Sequence, residues 1–184
     1  MDMDWSEVTG RVVVAAIEAH PLDQVVDLGC GTGELLRTLA PSIRTGVGVD
    51  RDGAALEAAR QGAPENLRFV QADIRNFPLP TGTSVVLLHD SLRYLSPLEQ
   101  QQLLIRLGRT LPERGLLVIG DVVWSWPRAE LDEPEQYGPT QEAAPTASTL
   151  ETMVRTAGFL PDLHRFGPGR AVMIALRAST LPIG

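Results

Sequence analysis

Apolar residues along this chain follow two alternating rhythms. Short apolar runs bounded by Gly, Asp or Pro read as strands, and stretches with apolar residues three or four apart read as helices. Val8, Val12, Ala15 and Ala19 fall at helical spacing and predict a helix over residues 5–20, closed by Pro21. Strands are expected at about 24–28, 45–50, 67–73, 84–89 and 115–121. Between them, helices are expected at about 33–40, with Leu35, Leu36 and Leu39 on one side, and at 53–61. Another runs from Ser96 to about Leu111, where Ser96, Pro97 and Glu99 supply an N-cap, a first-turn proline and a capping box. Leu116 to Ile119 is continuously apolar, as a strand covered on both faces should be. Near the end, Ser148 and Glu151 form a second capping box for a helix that stops at Gly158. Two runs, 159–165 and 170–177, are joined by Gly167-Pro168-Gly169 and read as a hairpin.

Strand–helix alternation implies an α/β fold: a doubly wound, mostly parallel sheet with helices on both faces, edged by the C-terminal antiparallel hairpin. A length of 184 residues fits a single domain, 1–184, with an N-terminal helical segment in 1–21. Between Val122 and Thr146 both rhythms stop. Pro127, Pro134, Pro139 and Pro145 break the pattern, and Glu130, Asp132, Glu133, Glu135 and Glu142 make it acidic. A stretch this long without periodicity is usually functional or disordered, so residues 125–146 are expected to form a flap over the site.

Composition narrows the function. The net charge is −7, and all 16 basic residues are arginine, scattered along the chain. No lysine is present for a Schiff base or a P-loop. The scattered charge argues against nucleic acid as the main partner. The single cysteine rules out an intrachain disulfide and a cysteine metal cluster, so no metal is expected. The apolar run from Val12 to Ile17 is too short to span a bilayer, and the acidic start is unlike a signal peptide. A cytoplasmic protein without a membrane partner is the simplest expectation; oligomeric state is left open.

Val25-Val26-Asp27-Leu28-Gly29-Cys30-Gly31-Thr32-Gly33 carries the most information. An apolar strand ends at an Asp, three glycines follow at alternate positions, and a helix opens at Glu34. Such a backbone lets a ligand lie against main-chain amides. This stretch resembles the first motif of the class I S-adenosylmethionine-dependent methyltransferases. The resemblance extends from Val25 through Leu176. It implies a seven-stranded Rossmann-like sheet of order 3-2-1-4-5-7-6 and S-adenosylmethionine as cofactor. It also implies that Gly29, Cys30, Gly31 and Gly33 wrap the methionine and ribose portions. Asp50, 21 residues after Gly29 and beside Arg51, accepts ribose hydroxyls. Asp73 receives the adenine amine and Ile74 packs on the ring. Backbone carbonyls of Leu88 and His89 meet the methionine amino group. Asp27 faces a helix N-terminus and organises the loop by binding amides or a water. As ordinary alternatives, the glycines only turn the chain, and Asp50 and Asp73 are strand-end turn residues.

For catalysis the candidate base is His89, whose imidazole type titrates near neutral pH. In the other reading only its backbone touches cofactor. Asp90 either orients His89, binds substrate or caps a turn. Trp5, Tyr94, Trp124 and Trp126 form either an aromatic acceptor pocket or ordinary packing. The segment LLHDSLRYL has Arg93 where relatives commonly have His, and an arginine does not serve as a base. An Asn-Pro-Pro-Tyr or Asp-Pro-Pro-Tyr motif after the fourth strand is absent, which disfavours base amino groups and glutamine amides as acceptors. The expected function is methyl transfer to a small-molecule acceptor. The rival is a non-methylating cyclase- or isomerase-type enzyme that keeps the cofactor. A binding or regulatory protein without catalysis is a third alternative and an NAD-binding protein a fourth, the last separable by cofactor-specific thermal shift.

Overall fold

The computed structural model describes residues 5–17, 24–122, 144–165 and 170–179. Its seven strands run in the order β3-β2-β1-β4-β5-β7-β6, as the resemblance implies. By internal packing the chain divides into two compact units, Met1–His89 and Asp90–Gly184.

The first unit holds α1 (Trp5–Ile17), β1 (Gln24–Leu28), α2 (Glu34–Leu39), β2 (Thr45–Asp50), α3 (Gly53–Arg60), β3 (Leu67–Gln71) and β4 (Thr83–His89). β1 pairs in parallel with β2 on one side and β4 on the other, and β2 pairs with β3. Val25, Val26, Leu28, Val49 and Val85 to Leu88 are buried, which is why these runs carry no polar alternation. Leu35, Leu36 and Leu39 form the inward stripe of α2, as expected from their spacing. α3 starts at Asp52, whose side chain accepts the Ala54 and Ala55 amides at 2.9 and 3.2 Å. The Arg37 guanidinium donates to the carbonyls of Ala59, Gln61 and Gly62, tying the C-terminus of α3 to α2. β3 stops at Gln71 rather than Asp73, because the chain turns there and the Asp73 carbonyl accepts the amides of Asn76 and Phe77.

The second unit holds α4 (Pro97–Thr110), β5 (Leu116–Val122), α5 (Ala147–Thr156), β6 (Phe159–Arg165) and β7 (Arg170–Arg177). β7 is antiparallel to both β5 and β6, so the hairpin is as expected. The capping box of α4 forms between Ser96 and Glu99. A one-turn 3-10 helix over Leu92–Tyr94, which sequence periodicity does not reveal, precedes it. α5 departs from expectation at its start. Its N-cap is Thr146, whose hydroxyl accepts the Thr149 amide at 3.1 Å, and Ser148 lies inside the first turn. The expected flap 125–146 therefore includes a helix cap at its end, while residues 125–143 lie outside the described residues. α4 and the end of α5 approach closely at Gly108, where a Cβ would lie 1.9 Å from the Ala157 carbonyl oxygen.

Candidate functional site

The candidate cofactor residues from Asp27 to His89 all belong to the first unit. Two strand ends build the centre of the site. Beyond β1 the chain leans onto β2, with the Gly29 and Cys30 amides donating to the Val49 carbonyl at 2.7 and 3.1 Å. It then turns tightly, Gly33 N–H to Cys30 carbonyl at 2.8 Å, and enters α2. Gly31 and Gly33 have φ of +52° and +78°, a region that side-chain-bearing residues rarely adopt. They hold these positions for different reasons. A Cβ on Gly31 would meet nothing within 4 Å. A Cβ on Gly33 would lie 2.7 Å from the Phe69 ring.

Asp50 closes this loop. Its Oδ2 accepts the Gly31 amide at 2.9 Å and its Oδ1 accepts the Asp52 amide at 2.9 Å. An ionised carboxylate offers about four lone-pair positions, so about two remain for further donors. A carboxylate with spare acceptor capacity beside an open glycine face matches what the ribose hydroxyls of an adenosyl group require. The residues present fit S-adenosylmethionine. Arg51 is exposed on the following turn, where its carbonyl accepts the Gln71 side-chain amide at 3.0 Å.

The expectation for Asp27 is that it organises the loop by binding amides or a water. The loop amide goes to Asp50, and Asp27 Oδ1 is buried without a hydrogen-bond partner. Asp27 is 1% exposed. Burial, and then the charge of Asp50, push its carboxyl up to about 7. The Cys30 thiol is also pushed up, by burial and by Asp27 and Asp50, so it stays protonated.

Asp73 lies in the turn after β3 and is engaged by Arg75, whose Nε donates to both carboxylate oxygens at 3.0 and 2.9 Å. The Arg75 amide adds a 2.9 Å bond to Oδ1. The Arg75 side chain holds the Asp73 carboxyl below its ordinary value. Ile74, between them, is half-buried. Leu88 has its side chain wholly in the core, which leaves only its backbone for a ligand. His89 ends β4 and is partly buried.

In the second unit, Asp90 takes φ +50°, its amide bonds the Gly120 carbonyl at 2.7 Å, and its carboxylate pairs with Arg93. The Arg93 guanidinium lies 5.0 Å from the centroid of the Tyr94 ring, which is 54% exposed. Gln100, fully buried on α4, donates to the Leu92 and Leu95 carbonyls at 3.2 and 2.9 Å and holds this turn. Trp124 and Trp126 lie outside the described residues, and Trp5 is placed on α1 by its backbone alone.

Sequence reasoning missed Phe69 and Gly48. A Cβ on Gly48 would lie 2.6 Å from Phe69 and 2.7 Å from the Cys30 sulfur. The signal was the alternating glycine of Val47-Gly48-Val49 inside a strand, which marks a close approach. Arg75 and Asp52 were also missed, although Asp52 before an Ala-rich helix is a readable N-cap.

Among the described residues, no helix is long and apolar enough to cross a membrane, and no group of three or more His, Cys, Asp or Glu could hold a metal ion. Residues 25–115 match the family described as "Methyltransferase domain". The chain is similar to trans-aconitate 2-methyltransferase of Deinococcus radiodurans, 34% identical over 63% of this chain and 44% of that protein. It is also similar to carboxy-S-adenosyl-L-methionine synthase of Citrobacter koseri, 32% identical over 55% of this chain and 44% of that protein. The chain thus matches less than half the length of these curated relatives. Among solved structures it resembles CalS10, an amino pentose methyltransferase from Micromonospora echinaspora bound to S-adenosylmethionine. The TM-score is 0.77 with 19% identity, over 96% of this chain and 92% of that one, a likeness of fold.

Proposed function

We propose that this chain, whose residues 25–115 match the family described as "Methyltransferase domain", is a class I S-adenosylmethionine-dependent methyltransferase that transfers a methyl group to a small-molecule acceptor. The observation that carries the reading is Asp50, bonded to the Gly31 amide beside the open face of Gly31. When bound, the cofactor supplies a methyl group activated by a sulfonium.

The remaining acceptor positions of Asp50 take ribose hydroxyls, next to Arg51. Gly29, Cys30, Gly31 and Gly33 present main chain rather than bulk to the cofactor. Asp73 shares its carboxylate between Arg75 and the adenine amine, with Ile74 against the ring. Leu88 and His89 offer carbonyls to an ammonium group. The His89 ring is the candidate base for an acceptor O–H or N–H; an acceptor that is already nucleophilic needs only alignment. Trp5, Tyr94, Trp124 and Trp126 are the aromatic candidates for holding a flat or apolar acceptor. The negative charge and scattered arginines support a small acceptor in preference to nucleic acid, the single cysteine is consistent with work in the cytoplasm, and a length of 184 residues fits one domain.

One observation favours a second reading. The carboxy-S-adenosyl-L-methionine synthases among the relatives are, by name, enzymes that make a derivative of the cofactor itself. In this second reading the chain is a non-methylating enzyme, of cyclase or isomerase type, that retains the cofactor site.

The test is incubation with methyl-labelled S-adenosylmethionine and a panel of small acids, phenols and amines. Label on an acceptor supports methyl transfer. Conversion of cofactor or acceptor without label transfer supports the second reading. A calorimetric isotherm with NAD and none with S-adenosylmethionine or its demethylated product overturns both.

A further inference from the structure

Asp27 stands inside the glycine motif, yet the Gly31 amide goes to Asp50. Asp27 is the penultimate residue of the central strand β1, in register with Gly48 of β2 and Leu87 of β4, and is 1% exposed. Its Oδ1 has no hydrogen-bond partner. A buried carboxylate with an unpaired oxygen is costly, and the usual escape is to keep the proton. The charge of Asp50, a second acid at the end of β2, reinforces that. Cys30, from the loop, keeps its thiol proton. His89 stands two residues beyond Leu87 on β4, and α2 opens with the exposed Glu34.

We propose that Asp27 is held as the neutral acid in the free protein and gives up its proton to solvent when the cationic cofactor enters the site. Binding of S-adenosylmethionine and release of one proton are then a single event. This rests on the cofactor reading above. The physical reason is electrostatic: for a carboxyl buried as Asp27 is, the field of a cation stabilises the ionised form far more than it would in water. Burial and Asp50 both raise the Asp27 carboxyl, to about 7, so the change falls within the physiological range. Losing the proton strengthens binding as pH rises towards that value, with no further gain above it.

The test is calorimetry on the full chain with S-adenosylmethionine at about pH 6.5, in two buffers of different ionisation enthalpy. The expected heats differ by the amount that most of one proton per bound cofactor requires. The dissociation constant is expected to weaken about tenfold from about pH 8 to about pH 6, the dependence of one linked proton. Both effects should vanish in Asp27→Asn. In the wild type, the carbon-13 shift of the Asp27 carboxyl should move from the acid to the carboxylate position on adding cofactor, a readout that needs no variant. Equal heats with a flat dissociation constant would overturn the proposal, as would a proton release that persists in Asp27→Asn, which would assign it to another group such as His89. Absence of binding at every pH would overturn the cofactor reading itself, and this inference with it.

Discussion

Gly31 and Gly33 sit two residues apart with the same handedness of backbone, yet alanine should fail at each for a different reason. Both substitutions place a Cβ residue at positive φ, costing roughly 1–2 kcal/mol. At Gly31 the methyl enters open space, so the free protein bears only that cost. At Gly33 the methyl would lie 2.7 and 2.9 Å from two carbons of the Phe69 ring, and overpacking of this kind adds about 1–3 kcal/mol. With about 2–4 °C per kcal/mol for a chain of this length, Gly33→Ala should melt roughly 2–12 °C below Gly31→Ala without ligand. Cofactor affinity should order the other way: Gly31→Ala loses most, because its methyl occupies the face on which the cofactor lies. Thermal melts of the free proteins and calorimetry with S-adenosylmethionine read the two effects separately. Repeating both substitutions in Phe69→Leu should narrow the melting gap, since the ring is its cause. Equal melting temperatures, or a gap that Phe69→Leu leaves unchanged, would refute the assignment of Gly33 to packing. Unaltered affinity in Gly31→Ala would refute the assignment of Gly31 to the ligand.

Asp50→Ala should weaken cofactor binding by about 1–3 kcal/mol in calorimetry. It should also lower the melting temperature of the free protein, because the Gly31 and Asp52 amides each lose an acceptor worth about 1 kcal/mol. The free protein should lose stability as pH rises from about 4 to about 7, since the folded Asp27 carboxyl keeps its proton to about 7 while the unfolded one loses it near 3.8. The slope is at most roughly 1.4 kcal/mol per pH unit, and Asp27→Asn should flatten it in denaturant melts across that window. His89→Ala should lower turnover by about 10²–10⁴-fold and abolish a pH dependence near neutrality if the ring is the base. An unchanged rate at every pH would leave His89 only its backbone.

The local rhythm of the sequence sufficed for the main strands and α-helices and their sequential order. Apolar runs of strand length and stripes at helical spacing reflect contacts that each segment must make whatever its partners. The glycine motif marked the ligand loop, and acids at the next two strand ends marked candidate partners. The start of α5 was less legible. Ser148 with Glu151 and Thr146 with Thr149 offer the same hydroxyl spacing, and the structure uses Thr146. What each acid does was decided in three dimensions. Asp27 stands in the motif itself, yet the Gly31 amide is taken by Asp50, 19 residues away. The parallel register of β1 on β2 brings that carboxylate across the loop, and such register is not encoded in either strand alone. Asp73 looks in sequence like a free strand-end acid, and only the folded turn shows Arg75 upon it. The three loop glycines look alike in the sequence. Phe69, brought in from β3, separates Gly33, where packing leaves no room for a Cβ, from Gly31, where the space is open to a ligand. Periodicity is a property of neighbours along the chain, whereas burial of a charge and the reach of a hydrogen bond are properties of neighbours in space.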